Sequence, residues 1–465
     1  MVSPIITPGG LNLALNPLSL KEGDLIRAIN VTLDQFGAKK KRPGYTTYLG
    51  TPDNAEVTTL FNFTKDSGTQ LWNYRFSGSV LYYSAQGTGD WTTCGNGTFA
   101  GGGTIGHAIT ENTMLIGNGV DATRHTTNGT AFTDTSSAPI AAHFVDYQNR
   151  IYAGGTASSL FWSTAGTPTD WITDSSSIQI PGPGKINSVI KVGDRINISK
   201  NSGGMYRWDG YNLFDLATNL GPTSASSIGN VEDFRFYFNN TGVYGFGGNK
   251  PEIISNPIEK QIYNDAGSGI IGTTFPNIQA VVHRYEYIAT LGSVTDDLTD
   301  ELIENAIGVY DYQADEWFNW KFANKPTAYL SYKDALGDQQ LIFGDSGGQC
   351  YTYGGTNTSD NGQTIEVVME GILHGGTLKL KKWSWIRFLF NPACEASVLI
   401  APSNTFTKQN KQWINLGQAI NGIVEFKIPA GTRSRLMYYK IIEASRQTRM
   451  NWYAMEYDAD LDDNK

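Results

Sequence analysis

Cysteine is scarce, with Cys94, Cys350 and Cys394 the only three in 465 residues. So odd and sparse a set argues against a disulfide framework, and no pair has the C-x-x-C spacing of a zinc or redox site. Histidine is sparse too. His107, His125, His143, His283 and His374 are too scattered to predict a metal cluster by spacing. Charged residues are 17% of the chain, below the roughly 25% of ordinary globular proteins. No run approaches the 18 or so apolar residues of a membrane-crossing helix, so no membrane insertion is expected. Met1 to Gly10 has neither a basic n-region nor an apolar h-region, so no signal peptide is visible. The Asn-x-Thr sequons at Asn62 and Asn96 then read as turn vocabulary.

Glycine and aromatic residues are abundant instead: 52 Gly, 24 Tyr, 21 Phe and 11 Trp. Disordered chains lack aromatics, and this mixture predicts many short strands joined by tight turns. The net charge is −9. A free-standing nucleic-acid binder is usually basic, but an acidic chain can surround DNA when its task is to let DNA slide.

Period-two alternation marks strands, as in Ile196–Ile198, Phe234–Phe238 and Val424–Ile428. Leu81–Ser84 running to Asp90-Trp91 matches Leu160–Ser163 running to Asp170-Trp171, with a looser copy at Val309–Tyr312 ending at Glu316-Trp317. A strand–turn–strand unit starts near Leu60, Gly106, Ala142, Val189, Ile228, Val281 and Ala328. The step of about 45 residues is that of four-stranded propeller blades. The expected fold is therefore all-β: a seven-bladed β-propeller followed by a C-terminal antiparallel β-sandwich. The expected boundaries are an extended N-terminal arm at 1–50, the propeller at 51–360, and a β-sandwich at 361–465 with a short acidic tail from Asp458. A strand from the N-terminal segment is expected to close the seventh blade. Thr295–Asn305 reads as a short acidic helix, and Asn357–Gly362 as a turn-rich linker.

Several motifs suggest chemistry. Gly344-Asp345-Ser346-Gly347-Gly348 spells the nucleophile segment of chymotrypsin-like proteases, and Ala141-Ala142-His143 resembles their histidine segment. A triad needs hydrogen-bond reach between base and serine. His143 and Ser346 fall in the third and seventh units, and a hairpin turn is expected. Gly267–Gly272 fits a dinucleotide fingerprint, but the following Thr273-Thr274-Phe275-Pro276 opposes the helix this requires. Asp458–Asp462 starts like a calcium loop but lacks its glycine and closing glutamate. Arg75, Arg124, Arg150, Arg195, Arg235 and Arg284 recur through the units. They read as residues bonding turns, with a sialidase-like carboxylate grip as the alternative. No cofactor, metal or catalytic residue is expected. The one basic run, Lys39-Lys40-Lys41-Arg42, is either a solvated loop or a subunit-docking patch for another copy of this acidic chain.

The first 50 residues carry a resemblance. Gly9-Gly10-Leu11-Asn12, Asn16-Pro17-Leu18, Glu22-Gly23-Asp24, Ala28-Ile29-Asn30-Val31, Gly37-Ala38 and Lys41-Arg42-Pro43-Gly44-Tyr45 follow in order. The set resembles the opening of structural tail proteins of tailed bacteriophages. The resemblance implies a propeller, a possible following sandwich, and a place in the virion as a tail hub or nozzle ring assembled in the host cytoplasm. It also implies a ring of six copies meeting other tail, portal or adaptor proteins around DNA held without sequence-specific contacts. It carries over no catalytic residue. The competing expectation is a glycan-binding or glycan-hydrolysing propeller of a receptor-binding tail component. Paired carboxylates in an open pocket would mark that alternative.

Overall fold

Phe234–Asn239 shows what the alternation means in three dimensions. Sequence alone predicts one wet face, yet five of these six residues are buried. Phe236 meets Tyr287 of the following sheet, while Tyr237 donates its hydroxyl hydrogen to Met205 Sδ of the preceding one at 3.6 Å. A strand sandwiched between neighbouring sheets needs rings on both sides. This is a computed structural model describing residues 5–13, 20–85, 90–155, 157–262, 277–295, 302–390, 394–405, 411–419, 422–445 and 450–461.

The chain is all-β; the one α-helix among the described residues is Glu259–Ile262. Antiparallel four-stranded meanders succeed one another along the chain. The first runs from Val57–Lys65 to Thr92–Thr98, the second from Gly106–Thr110 to Thr133–Asp134, and the third from Ala141–Tyr147 to Ser176–Gln179. The fourth runs from Ile186–Val192 to Leu213–Ala217, the fifth from Gly229–Val231 to Glu252–Ile253, and the sixth from Ala280–His283 to Glu316–Lys321. The seventh contributes Ala328–Lys333, Gln339–Gly344 and Cys350–Tyr353. Its fourth strand is Tyr45–Tyr48, from the N-terminal segment. The seven unit starts read from sequence fall in or within one residue of the opening strands of these meanders. Those of the second, third and fourth pack on one another, as do those of the fifth, sixth and seventh. Phe61 stacks on His107 between the first and second. Ala328–Lys333 of the seventh packs on Val57–Lys65 of the first.

Four N-terminal strands tie this series to the rest: β1 (Leu25–Ile29), β2 (Val31–Leu33), β3 (Lys39–Lys41) and β4 (Tyr45–Tyr48). β1 pairs in parallel with Glu316–Lys321 and antiparallel with Val367–Leu373. The sixth meander therefore continues through β1 into a nine-stranded sheet that ends at Leu436–Glu443, Ala396–Ser403 and Ile414–Ala419. A second C-terminal sheet holds β2, β3, Asn451–Leu461, Lys381–Phe390 and Gly422–Lys427. Phe388 and Trp452 of this sheet meet Tyr439 of the first across a shared core.

Four expectations need correction. The described ends of the acidic helix are strands: Glu286–Thr295 and Leu302–Asp311 pair directly, with Thr295 opposite Leu302 and Val294 opposite Ile303, while 296–301 lie outside the described residues. The extended arm expected at 1–50 is, from Leu25 to Tyr48, strands built into the sheets, because β1 and β4 each fill a sheet position between partners distant in sequence. The linker contains a strand, Ser359–Asp360, parallel to β4. The acidic tail expected from Asp458 is strand as far as Leu461, paired with Lys381–Phe390, with 462–465 outside the described residues.

Candidate functional site

β3 carries the basic run onto the join between the sixth meander and the C-terminal sheets. The run turns inward. Lys39, Lys41 and Arg42 are buried and Lys40 is half-buried. Lys39 Nζ is paired with Glu316 and lies 5.4 Å from the centre of the Phe318 ring. Lys41 Nζ donates to Glu443 Oε2 at 3.0 Å and to the Ser445 carbonyl at 2.6 Å.

Arg42 uses its whole donor fork inside the chain. Nε donates to Asn30 Oδ1, Nη1 to Asp360 Oδ1 and the Pro43 carbonyl, and Nη2 to Asp360 Oδ2 and the Lys321 carbonyl, all within 2.9 Å. Its guanidinium also sits 4.5 Å from the centre of the Phe322 ring. Asn30, at φ +58°, accepts from Lys321 N and donates to the Glu366 carbonyl. The docking expectation for Lys39, Lys41 and Arg42 is therefore corrected. A cation committed to a buried carboxylate of its own chain cannot also present that charge to another copy.

The other motif residues meet at the same join. The Leu11 amide donates to the Trp317 carbonyl, and the Leu25 amide to the Gly10 carbonyl. Gly10 lies where a Cβ would come within 2.8 Å of Glu316 Cβ. A Cβ on Gly44 would sit 2.0 Å from the Ser359 carbonyl oxygen, so only glycine lets the two backbones approach. Tyr45 is edge-on to Phe343 and Tyr351 and tilted against Phe322. Asn16-Pro17-Leu18 lies outside the described residues.

Facing β3 is a row of carboxylates that sequence reading missed. Glu286, Asp311 and Glu316 are register partners on three successive strands. Burial, with Asp311 adding repulsion, pushes the Glu286 carboxyl up to about 7, against a hydrogen bond from Thr32 and the charge of Lys40. Burial likewise raises Glu316 and lowers Lys39, each opposed by the other's charge. No alternation or spacing links residues 286, 311 and 316; only strand register does. A cavity of about 350 Å³ opens beside the clamp, lined by Arg27, Ile303, Lys321, Asp360, Glu366 and Val368 among others. Of its two carboxylates, Asp360 is committed to Arg42 and Glu366 is exposed.

The remaining motifs are turns and packing. Gly344–Gly348 joins two strands of the seventh meander, with Asp345 Oδ1 accepting the amides of Gly347 and Gln349. His143 stands on the third meander, where burial pushes it down to about 4; His107 and His283 are lowered to the same level by burial. Arg75, Arg124 and Arg150 bond carbonyls of turns and strand ends, as expected. Arg195 and Arg284 are exposed, and Arg235 is buried. The three cysteines are free and buried. Among the described residues no cluster of three His, Cys, Asp or Glu could hold a metal, and no helix is long and apolar enough to cross a membrane. The Gly267–Gly272 fingerprint lies outside the described residues.

No family model and no curated protein matches the chain. Solved structures do match. The computationally designed Ika8 protein is 11% identical, with 66% of this chain and 99% of that one covered at a TM-score of 0.39. YCF48 from Cyanidioschyzon merolae is 10% identical, with 67% of this chain and 98% of that one covered at a TM-score of 0.44.

Proposed function

We propose that the chain is a structural protein of a bacteriophage tail, a rigid wedge in a hub or nozzle ring around the DNA exit channel. The seven meanders are, in this reading, the blades of a seven-bladed propeller. Contact between the seventh and first opening strands supports that closure. The two C-terminal sheets with their common core are a β-sandwich.

The observation that carries the reading is where the motif residues fall. Gly10, Leu11, Arg42, Gly44 and Tyr45 lie at the join of meanders and C-terminal sheets. A motif devoted to fusing two bodies suits a load-bearing subunit better than an enzyme. Six copies in a closed ring require a heterologous interface between neighbours. With the basic run spent internally, that interface uses other surfaces. Acidic groups facing the lumen would keep DNA from sticking during ejection. The ring would sit in the virion against other tail, portal or adaptor proteins, and would use no cofactor.

Native mass spectrometry and negative-stain imaging of the purified chain test the reading. Closed rings are expected. A monomer at every concentration, with measurable binding or hydrolysis of oligosaccharides, would overturn it in favour of the glycan alternative. The cavity beside Asp360 offers that alternative little, because one of its two carboxylates is already neutralised by Arg42.

A further inference from the structure

The contact between the fourth and fifth meanders is built differently from its neighbours. On the side of the fourth meander facing the third, Ile196 and Ile198 pack with Tyr147 and Tyr152. On the side of the fifth facing the sixth, Phe236 and Phe238 pack with Tyr287. Between the fourth and fifth an apolar patch around Met205, Tyr237 and Phe246 adjoins buried polar groups. Asn197 and Arg207 are register partners on adjacent strands of the fourth meander. Met205, two residues before Arg207, touches Tyr237 of the fifth, and Arg235 lies two residues before Tyr237. Strand alternation therefore aims Asn197, Arg207 and Arg235 into one interface.

Several of their buried polar atoms lack hydrogen-bond partners among the described residues. Arg235 is 2% exposed, and its Nε and Nη2 have no acceptor. Asn197 is 1% exposed, with neither Nδ2 nor Oδ1 bonded. Arg207 Nε and Ser188 Oγ are also buried without partners. Phe246 and Phe214 supply ring faces to Arg235 and Arg207, at 5.4 and 4.8 Å, but no negative charge. Burial lowers Arg235 to about 9, and no carboxylate counters that shift. A buried, hydrogen-bond-starved charge is among the costliest features a fold can carry, and water supplies hydrogen bonds without neutralising it.

We propose that this interface binds inorganic phosphate. The Arg235 and Arg207 guanidiniums would supply the charge and the donor fork, with Asn197 Nδ2 as a further donor. Asn197 Oδ1 needs a donor in return. Monohydrogen phosphate has an O–H to give and sulfate has none, so the site favours phosphate. The burial of Arg235 restricts the ligand to a small ion.

The test uses the full chain freed of phosphate, with thermal unfolding followed across a phosphate series at constant ionic strength, and with sulfate and chloride series alongside. A rise of several degrees in phosphate, smaller in sulfate and absent in chloride, is expected. Arg235→Met should abolish the phosphate response. Asn197→Asp, which installs the missing negative charge, should raise the midpoint in phosphate-free buffer and also abolish the response. Equal midpoints in phosphate and chloride, or an undiminished phosphate response in either variant, would overturn the proposal.

Discussion

Arg42 and Asp360 stand 318 positions apart in sequence and meet through two charge-assisted hydrogen bonds, 2.8 and 2.6 Å long. Both side chains are buried, so removing one strands the other. Arg42→Met should cost about 3–5 kcal/mol of unfolding free energy, measured in urea. Arg42→Met with Asp360→Leu should cost less than the sum of the two singles. A loss under about 1 kcal/mol for Arg42→Met would show that the clamp is not needed to hold the join.

Reversing the basic run should act on folding before it acts on assembly. Lys41→Glu sets a second carboxylate against buried Glu443, and Lys39→Glu does the same at Glu316. Circular-dichroism melts should show loss of several kcal/mol for each. Lys40→Glu, at a half-buried position, should cost less. A triple variant that melts like the parent but assembles poorly would restore the docking role.

Glu286 sets a pH dependence whose sign is opposite to that of ordinary acid denaturation. Its folded pKa is raised from the usual 4.5 to about 7, so the folded chain holds this proton more tightly than the unfolded chain does. The resulting stabilisation is full below about pH 4.5 and is lost as pH rises through about 7. At 1.36 kcal/mol per unit this amounts to roughly 1–3 kcal/mol, less wherever water reaches the carboxyl. Glu286→Gln should flatten the melting temperature between pH 5 and 8. An unchanged slope would place the titration elsewhere.

The Gly344–Gly348 turn separates structure from chemistry. Ser346 is exposed, and Ser346→Ala should shift stability by no more than about 0.5 kcal/mol. Asp345 accepts two turn amides on Oδ1 and the Tyr351 hydroxyl on Oδ2 at 2.9 Å, so Asp345→Ala should cost about 1–3 kcal/mol. A peptidase activity lost specifically in Ser346→Ala would contradict the reading as a turn.

The repeat was legible because each opening strand must bury apolar residues at period two, and Gly106, Ala328 and their counterparts mark where those runs begin. That a strand from the N-terminal segment completes the seventh meander was also anticipated, though not which residues form it. The inward turn of Lys39–Arg42 was not, because four adjacent cations look solvated unless their carboxylates are known. Glu316, Asp360 and Glu443 lie 277, 318 and 402 positions from their partners, and one sequence carries no trace of such pairings. Thr295–Asn305 was misread because clustered carboxylates suggest a solvated helix, whereas Ile303 is buried on the strand Leu302–Asp311.

The placement of β4 has a consequence during synthesis. Tyr48 and Gln349 are hydrogen-bonded neighbours 301 positions apart, so the strand that completes the seventh meander leaves the ribosome long before its partner exists. At about 5–20 residues per second, that wait is roughly 15–60 s. Throughout it, the nascent chain exposes two unpaired edges, one on β4 and one on whichever meander is growing. Completion of the seventh meander therefore waits on translation, precedes the pairing of β1 and β3 with the C-terminal strands, and is vulnerable to capture by another nascent copy. Slowing elongation should lengthen that window and raise the chaperone requirement.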